Sequence, residues 1–191
     1  MDKSPQSKER GITLDLGFSA FVVRVPDWLR ERDPEKLAGI EHIQFTLVDC
    51  PGHASLMKTV IGGASIIDLM ILVVDCQKLI QTQTFECIVL GEILMDKLLI
   101  AFNKVDLLRS DPQGLEKQMK TLKTQISRSK FGPTTRIVPV SAYNPVAIEQ
   151  GTGLASEGID DLITAILEQV DIPDRNKGTQ KDFLFAIDHC F

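Results

Sequence analysis

The chain has 191 residues, of which 43% are hydrophobic and 25% are charged, and its formal net charge is −5. This size and composition suit one soluble domain with a packed core and part of a second. The negative balance excludes a global basic field for nucleic acid, although a local basic face stays open. No apolar run approaches the roughly 20 residues of a membrane span, and residues 1–10 are too polar for a signal peptide. The four cysteines form no C-x-x-C pair, which favours reduced thiols over a zinc site. We therefore expect a cytoplasmic protein without a membrane partner.

Gly17 to Val25 is the first predicted strand, and we expect it to be antiparallel to its neighbour. The segment 26–42 follows, and it is charged and contains two prolines and a glycine. This composition predicts the surface tip of a hairpin. We expect Trp28, inside the segment, to be a packed anchor.

Strand and helix patterns then alternate along the chain. Short continuous apolar runs, typical of buried parallel strands, are Phe45–Val48, Leu69–Val74, Leu98–Phe102 and Ile137–Val140. Apolar residues recur at helical spacing within 85–93, 115–126 and 159–170. The alternation predicts an α/β domain with a mostly parallel sheet and flanking helices.

The composition of the last third indicates where the domain ends. Residues 144–158 are rich in glycine and small side chains and are predicted to be a loop. Residues 1–172 then form one domain, 173–182 a polar linker, and 183–191 the first strand of another domain.

Asp49 to His53, with the sequence Asp-Cys-Pro-Gly-His, directly follows an apolar run. A carboxylate at a strand end, here Asp49, can hold hydrated Mg²⁺ near a terminal phosphate. Gly52 lets its backbone N–H approach a phosphate oxygen, and His53 can orient an attacking water. The plainer alternative is an acidic turn with a surface histidine.

An Asn-Lys-x-Asp turn directly follows the apolar run Leu98–Phe102 and contains Asn103, Lys104 and Asp106. The Asp106 carboxylate can accept hydrogen bonds from N1–H and the exocyclic amine of guanine, and adenine offers no such pair of donors. The Lys104 stem can lie over the purine face, and Asn103 can tie neighbouring loops together. The carboxyl ends of parallel strands are where open sheets bind ligands, so the two turns predict a site for a guanine nucleotide.

Three further residues become candidate site residues because of where they stand along the chain relative to the two turns. The backbone N–H groups of Ser141 and Ala142, after the run that ends at Val140, can reach the guanine O6 oxygen. The Thr13 hydroxyl is a plausible Mg²⁺ ligand. Each of these would be an ordinary loop residue if it stood alone.

Together these motifs resemble the G domain of translational GTPases, and more closely that of selenocysteine-specific elongation factors. The resemblance covers almost the whole chain. Its matching segments are Arg10–Phe18, Asp49–Leu56, Gly62–Ala64, Ile67–Leu69 and Ile187–Phe191. Elongation factor Tu-like proteins and the gamma subunit of the second initiation factor are near alternatives.

The resemblance implies a fold, ligands and partners. A P-loop GTPase G domain would bind GTP and Mg²⁺, with Thr13 and Asp49 on the metal, Gly52 on the γ-phosphate and His53 positioning the water. Asn103, Lys104 and Asp106 would read guanine, supported by Ser141 and Ala142. The full-length protein would carry selenocysteinyl-tRNA to the ribosome at UGA codons. Absent domains would contact an RNA element and its binding protein.

One family motif is missing, because no Gly-Lys dipeptide, and hence no G-x-x-x-x-G-K-[ST] phosphate loop, occurs in the chain. In the family, that loop and the strand before it would precede Met1, and the strand would lie between those ending at Asp49 and Asp75. We therefore expect a fragment with an opened sheet, unless the two flanking strands pair directly. We also expect little or no GTP hydrolysis by this chain. A non-catalytic module that binds a partner surface remains the alternative function.

Overall fold

The computed structural model describes residues 17–50, 67–132, 135–143 and 156–172. The strands are β1 (Gly17–Arg24), β2 (His42–Asp49), β3 (Met70–Asp75), β4 (Leu98–Asn103) and β5 (Arg136–Pro139). The helices are α1 (Asp27–Arg32), α2 (Thr82–Leu94), α3 (Pro112–Ile126) and α4 (Ile159–Gln169), and a 3₁₀ turn covers Val105–Leu108. No described helix has the length and apolarity to cross a membrane. The prediction of an α/β fold with a parallel sheet and flanking helices is confirmed.

Strand β4 is the centre of the parallel sheet, with β3 on one side and β5 on the other. Its first five residues, Leu98 to Phe102, are all buried. Successive side chains of a strand point to opposite faces. Accordingly, Ile100 and Phe102 pack with residues of α2 and α3, whereas Leu99 and Ala101 pack with residues of α4. Helices therefore cover both faces of β4, which explains its continuous apolar sequence.

Strand β2 confirms the antiparallel pairing predicted for β1 and its neighbour, but among the described residues it has no parallel partner of the kind predicted from its apolar run. It pairs antiparallel with β1 from Gly17 opposite Asp49 to Arg24 opposite His42. Alternate β2 residues are exposed, as expected for a sheet with one covered face. Among the described residues, β2 and β3 do not pair, so the alternative of direct pairing between them is not observed.

Helix α4 joins the two sheets by side-chain packing. Ala165 and Ile166 pack on β4 and β5, and Leu167 packs in a cluster with Leu29 and Leu37. Phe45 of β2 contacts both clusters. The hairpin and the parallel sheet therefore share one apolar layer although their backbones do not form a common ladder.

The segment 26–42 is more than the predicted surface tip. It forms α1, and its Leu29 and Leu37 are 0% and 2% exposed. The expected anchor was the wrong residue, because Trp28 is 38% exposed while its neighbour Leu29 is buried. Arg32 ties the segment to α4 by donating hydrogen bonds to the Leu167, Glu168 and Val170 carbonyls at 3.3, 3.1 and 3.2 Å. These carbonyls have no intrahelical partners because they end the helix.

We expect Leu29→Ala to lower the free energy of unfolding by about 2–5 kcal/mol, because it leaves a cavity where α1 meets α4. Urea denaturation followed by circular dichroism measures the change. The control is Ile40→Ala, at a side chain that is 39% exposed, for which we expect about 1 kcal/mol or less. Equal effects of the two substitutions would contradict the packing role of Leu29.

Candidate functional site

The carboxyl ends of the three parallel strands bring the candidate residues together. Asp75, at the end of β3, lies opposite Asn103, at the end of β4. The ladder continues past β5, since the Val140 N–H donates to the Phe102 carbonyl at 2.8 Å and the Val105 N–H donates to the Val140 carbonyl at 3.3 Å. Ser141 and Ala142 are therefore held beside the Asn-Lys-x-Asp turn.

Asn103 ties this edge together as the sequence predicted it could. Its side-chain oxygen Oδ1 accepts hydrogen bonds from the Lys104 N–H at 2.8 Å and from the Ala142 N–H at 3.1 Å. One amide oxygen thus fixes the turn after β4 to the turn after β5.

Lys104 has a left-handed backbone, with φ of 65° and ψ of 32°. This region is costly for a residue with a side chain and is common at functional sites. The neighbouring strand holds the turn in place, because the Cys76 thiol donates to the Lys104 carbonyl at 3.1 Å and the Cys76 N–H donates to the Asn103 carbonyl at 2.9 Å. Burial raises the pKa of the Cys76 thiol, and the Asp75 and Asp106 carboxylates raise it further. The thiol therefore stays protonated, as a donor must.

Asp106 is oriented by Ser141. The Ser141 hydroxyl donates to Asp106 Oδ1 at 2.6 Å, and Ser141 itself is 0% exposed. Ser141 and Glu157 form an isolated antiparallel bridge in which each N–H donates to the other residue's carbonyl, at 2.9 and 2.8 Å. The Asp106 carboxylate is thus fixed from one side, and a carboxylate has lone pairs enough for further donors.

The described hydrogen bonds give Ser141 and Ala142 roles that the sequence did not predict. The backbone N–H groups expected to reach guanine O6 are donated to the Glu157 carbonyl and to Asn103 Oδ1. A contact with guanine O6 would require one of these N–H groups to be shared between O6 and its present acceptor. The contact with O6 therefore stays a prediction. The Ser141 hydroxyl acts on Asp106 instead. Buried hydroxyls need a partner, but spacing alone does not show which one.

The residues proposed for the phosphate end are only partly described. Asp49 ends β2 and is half-buried, whereas Thr13, Gly52 and His53 lie outside the described residues. Among those described, no group of three His, Cys, Asp or Glu side chains could hold a metal. A single carboxylate still fits Mg²⁺, which commonly binds one or two carboxylates together with water and phosphate oxygens.

Asp75 is the site residue that the sequence analysis did not single out. Its carboxylate Oδ2 lies 2.8 Å from Lys104 Nζ. The sequence did contain a signal for Asp75, because Val74-Asp75-Cys76 repeats the Val48-Asp49-Cys50 sequence found at the end of another strand. Among the described residues, a polar cluster from three strand ends therefore includes Asp75, Asn103, Lys104, Asp106 and Ser141.

A parallel sheet with this cluster at its carboxyl edge is the arrangement expected for the G domain of a translational GTPase. A family model described as the elongation factor Tu GTP binding domain matches residues 1–172. The chain belongs to that family. The resemblance to selenocysteine-specific elongation factors is confirmed by individual relatives.

The mouse selenocysteine-specific elongation factor is 45% identical over 192 residues, which cover 100% of this chain and 31% of the mouse protein. The corresponding factor of Methanocaldococcus jannaschii is 30% identical, over 100% of this chain and 34% of its own length. A solved structure of SelB from Methanococcus maripaludis with the GTP analogue GppNHp has a TM-score of 0.58 and 25% identity, over 84% of this chain and 30% of that chain. The chain thus spans about a third of the length of these relatives.

We expect Asn103→Ala to increase amide hydrogen exchange at Lys104 and Ala142 by about tenfold or more, because both N–H groups lose their acceptor. Exchange followed by NMR measures this directly. Asn103→Asp is the matched control, since it keeps an oxygen in the same position and should retain the protection of both amides. Unchanged exchange in Asn103→Ala would show that the two turns are not joined by this side chain.

Proposed function

We propose that this chain is the guanine-nucleotide-binding part of a selenocysteine-specific elongation factor. The observation that carries the proposal is the hydrogen bond from the buried Ser141 to Asp106. It fixes a carboxylate at the carboxyl edge of the sheet in a family whose members bind GTP. The same edge holds Asn103 and Lys104 in one hydrogen-bonded unit.

Asp106 would recognise the base by its edge. Guanine offers N1–H and the exocyclic amine on the same side, and both match a carboxylate. Adenine places a bare N1 lone pair there, which would face the carboxylate unpaired. Unpaired polar groups in a binding site discriminate more strongly than size differences, so a fixed Asp106 selects guanine.

The phosphate end of the site rests on residues of which only Asp49 is described. In the proposal, Thr13 and Asp49 bind Mg²⁺, Gly52 donates its N–H to the γ-phosphate, and His53 orients the attacking water. When bound, Mg²⁺ supplies positive charge that stabilises the phosphate oxygens. Phosphoryl transfer depends mostly on such positioning and charge stabilisation, which is why these few side chains would suffice for their part.

The partners belong to the longer protein. The names of the mouse and archaeal relatives point to selenocysteine-specific elongation. We infer selenocysteinyl-tRNA and the ribosome as partners of the G domain in its full-length context. Contacts to an RNA element and its binding protein are assigned to regions that this chain does not contain. A cytoplasmic location follows from that role.

The 191 residues contain no Gly-Lys dipeptide, so they lack the phosphate loop that cradles the β- and γ-phosphates. We expect guanosine, GDP and Mg²⁺-GTP to bind this chain within about threefold of one another, because the base supplies most of the contacts. At about 0.3 kcal/mol per non-hydrogen atom, we expect a binding free energy of roughly −6 kcal/mol for guanosine, which corresponds to a dissociation constant of about 40 µM.

Isothermal titration calorimetry measures these constants, and phosphate release measures hydrolysis, which should stay at the background rate. Adenosine is the control ligand, and no binding is expected for it. A sub-micromolar constant for Mg²⁺-GTP would overturn the prediction that phosphate contacts are missing. Equal binding of adenosine would overturn the guanine site itself.

We expect Asp106→Asn to weaken guanosine binding roughly 10- to 100-fold and to favour xanthosine. The asparagine amide offers one acceptor and one donor, which complement the N1–H and C2 carbonyl of xanthine. The new side chain keeps an oxygen for the Ser141 hydroxyl, so the turn should stay folded. The matched control is Asp96→Asn, because Asp96 pairs with Lys130 at 2.9 Å in another part of the surface. The same nucleoside preference in both variants would contradict the role of Asp106.

A further inference from the structure

Asp75 is held in place before any ligand binds. Its Oδ1 atom accepts a hydrogen bond from the Gln77 N–H at 2.9 Å. The turn after β3 adds hydrogen bonds from the Lys78 and Leu79 N–H groups to the Asp75 carbonyl, at 3.2 and 3.0 Å. The other carboxylate oxygen, Oδ2, faces Lys104 Nζ at 2.8 Å. Asp75 is therefore a fixed acceptor for the lysine ammonium.

Lys104 is fixed at its other end as well. Its N–H donates to Asn103 Oδ1 at 2.8 Å, and its carbonyl accepts from the Cys76 thiol at 3.1 Å. The side chain begins just after β4 and ends at the last residue of β3. Because Asp75 and Asn103 are opposite each other in the parallel ladder, the four methylene groups cross from one strand end to the next.

The lysine stem is thus an apolar surface with both ends held. The Lys104 side chain is 55% exposed, whereas that of Asp75 is 19% exposed. A long side chain loses rotamer freedom when it packs against a ligand. Holding the ammonium in advance removes that loss from the binding step, which is the usual benefit of preorganisation.

We propose that Asp75 is a positioning residue of the guanine site, which lays the Lys104 stem across the strand ends as a preformed surface for the face of the purine. The inference rests on the proposed function, because it needs a base beside Asp106. The inference gives Asp75 a role that differs from the role of Asp106. Asp106 reads the edge of the base, and Asp75 acts on its face through Lys104.

The contact with Asp75 also dominates the electrostatics of Lys104. The hydrogen bond to Asp75 is the main cause that raises the pKa of Lys104. This agrees with the distance of 2.8 Å between Asp75 Oδ2 and Lys104 Nζ.

The ion pair persists at neutral pH. Partial burial by itself would raise the pKa of Asp75, but hydrogen bonds from Lys104 and from the Gln77 N–H outweigh it and leave that pKa below its ordinary value. A lowered pKa in the folded chain means that the contact is complete above the ordinary range of an aspartate. It is lost as the pH falls through the lowered value.

The variant Asp75→Asn separates this role from a purely structural one. Asparagine keeps the oxygen that accepts from the Gln77 N–H, and it removes the charge that holds Lys104. We expect guanosine to bind about five- to tenfold more weakly. In the Asp106→Asn background, xanthosine binding should weaken by the same factor, because the face of the base is affected and its edge is not.

A measurement without ligand tests the contact itself. The side-chain NMR signals of Lys104, followed against pH, should give a pKa that falls towards the ordinary lysine value in Asp75→Asn. Asp96→Asn, which removes the Lys130 partner, should leave both the Lys104 pKa and guanosine binding unchanged. Lys104→Met keeps an apolar stem without the ammonium, and adding Asp75→Asn to it should cause no further loss of affinity.

The outcomes are distinct. Wild-type affinity for guanosine in Asp75→Asn, or an unchanged Lys104 pKa, overturns the role of Asp75 and leaves the proposed function standing. A wild-type chain that binds neither guanosine nor GDP overturns the proposed function, and this inference fails with it. If Asp75→Asn lowers the melting temperature strongly, the comparison of Lys104→Met with the double variant Lys104→Met/Asp75→Asn still tests the proposal. A further loss of guanosine affinity in the double variant would contradict it.

Discussion

The site depends on the burial of strand β4 between β3 and β5. With helices on both faces, the register of the strand is set by side-chain packing, because a slip of one residue would exchange Ile100 and Phe102 with Leu99 and Ala101 between the two helical layers. That register sets Asp75 opposite Asn103. It also sets where the chain must turn, and hence where the polar groups collect. Hydrophobic packing in the middle of the sheet therefore determines the polar arrangement at its edge.

The polar edge is a network in which each member fixes another. Asn103 holds two backbone N–H groups, Cys76 holds the Lys104 carbonyl, and Ser141 holds Asp106. Such a network supports a left-handed residue that would otherwise be unfavourable at that position. The result is a rigid polar edge, formed by short-range contacts between the turns that follow three adjacent strands.

Much of this arrangement could be predicted from the sequence, and the reasons differ by element. Strand β4 has a continuous apolar run and helices α3 and α4 have strong periodic patterns, and the structure places all three as predicted. The Asn-Lys-x-Asp turn could be located because its residue types suit one base. The antiparallel pairing of β1 with its neighbour was predicted and is confirmed, whereas the apolar run of β2 alone could not show whether that strand also has a parallel partner. The role of Asp75 was missed because an acidic residue at a strand end gains meaning only from its neighbour in space.

The packing of segment 26–42 also could not be predicted from the sequence alone. The segment's charged composition predicted the surface, but the two leucines that carry its packing are eight positions apart, too few and too far apart to show a repeating pattern. Their partner is Leu167 of α4, far along the chain. Long-range packing of this kind leaves no local trace, so only the folded structure could reveal it.

The packing of the hairpin against α4 also has a consequence for synthesis in the cell. Leu37 and Leu167 are about 130 residues apart, and chains grow at roughly 5–20 residues per second. The apolar face of the hairpin would therefore emerge from the ribosome roughly 6 to 26 seconds before the helix that covers it. During that interval its strands can form from local contacts alone, and this nascent face would be open to chaperones.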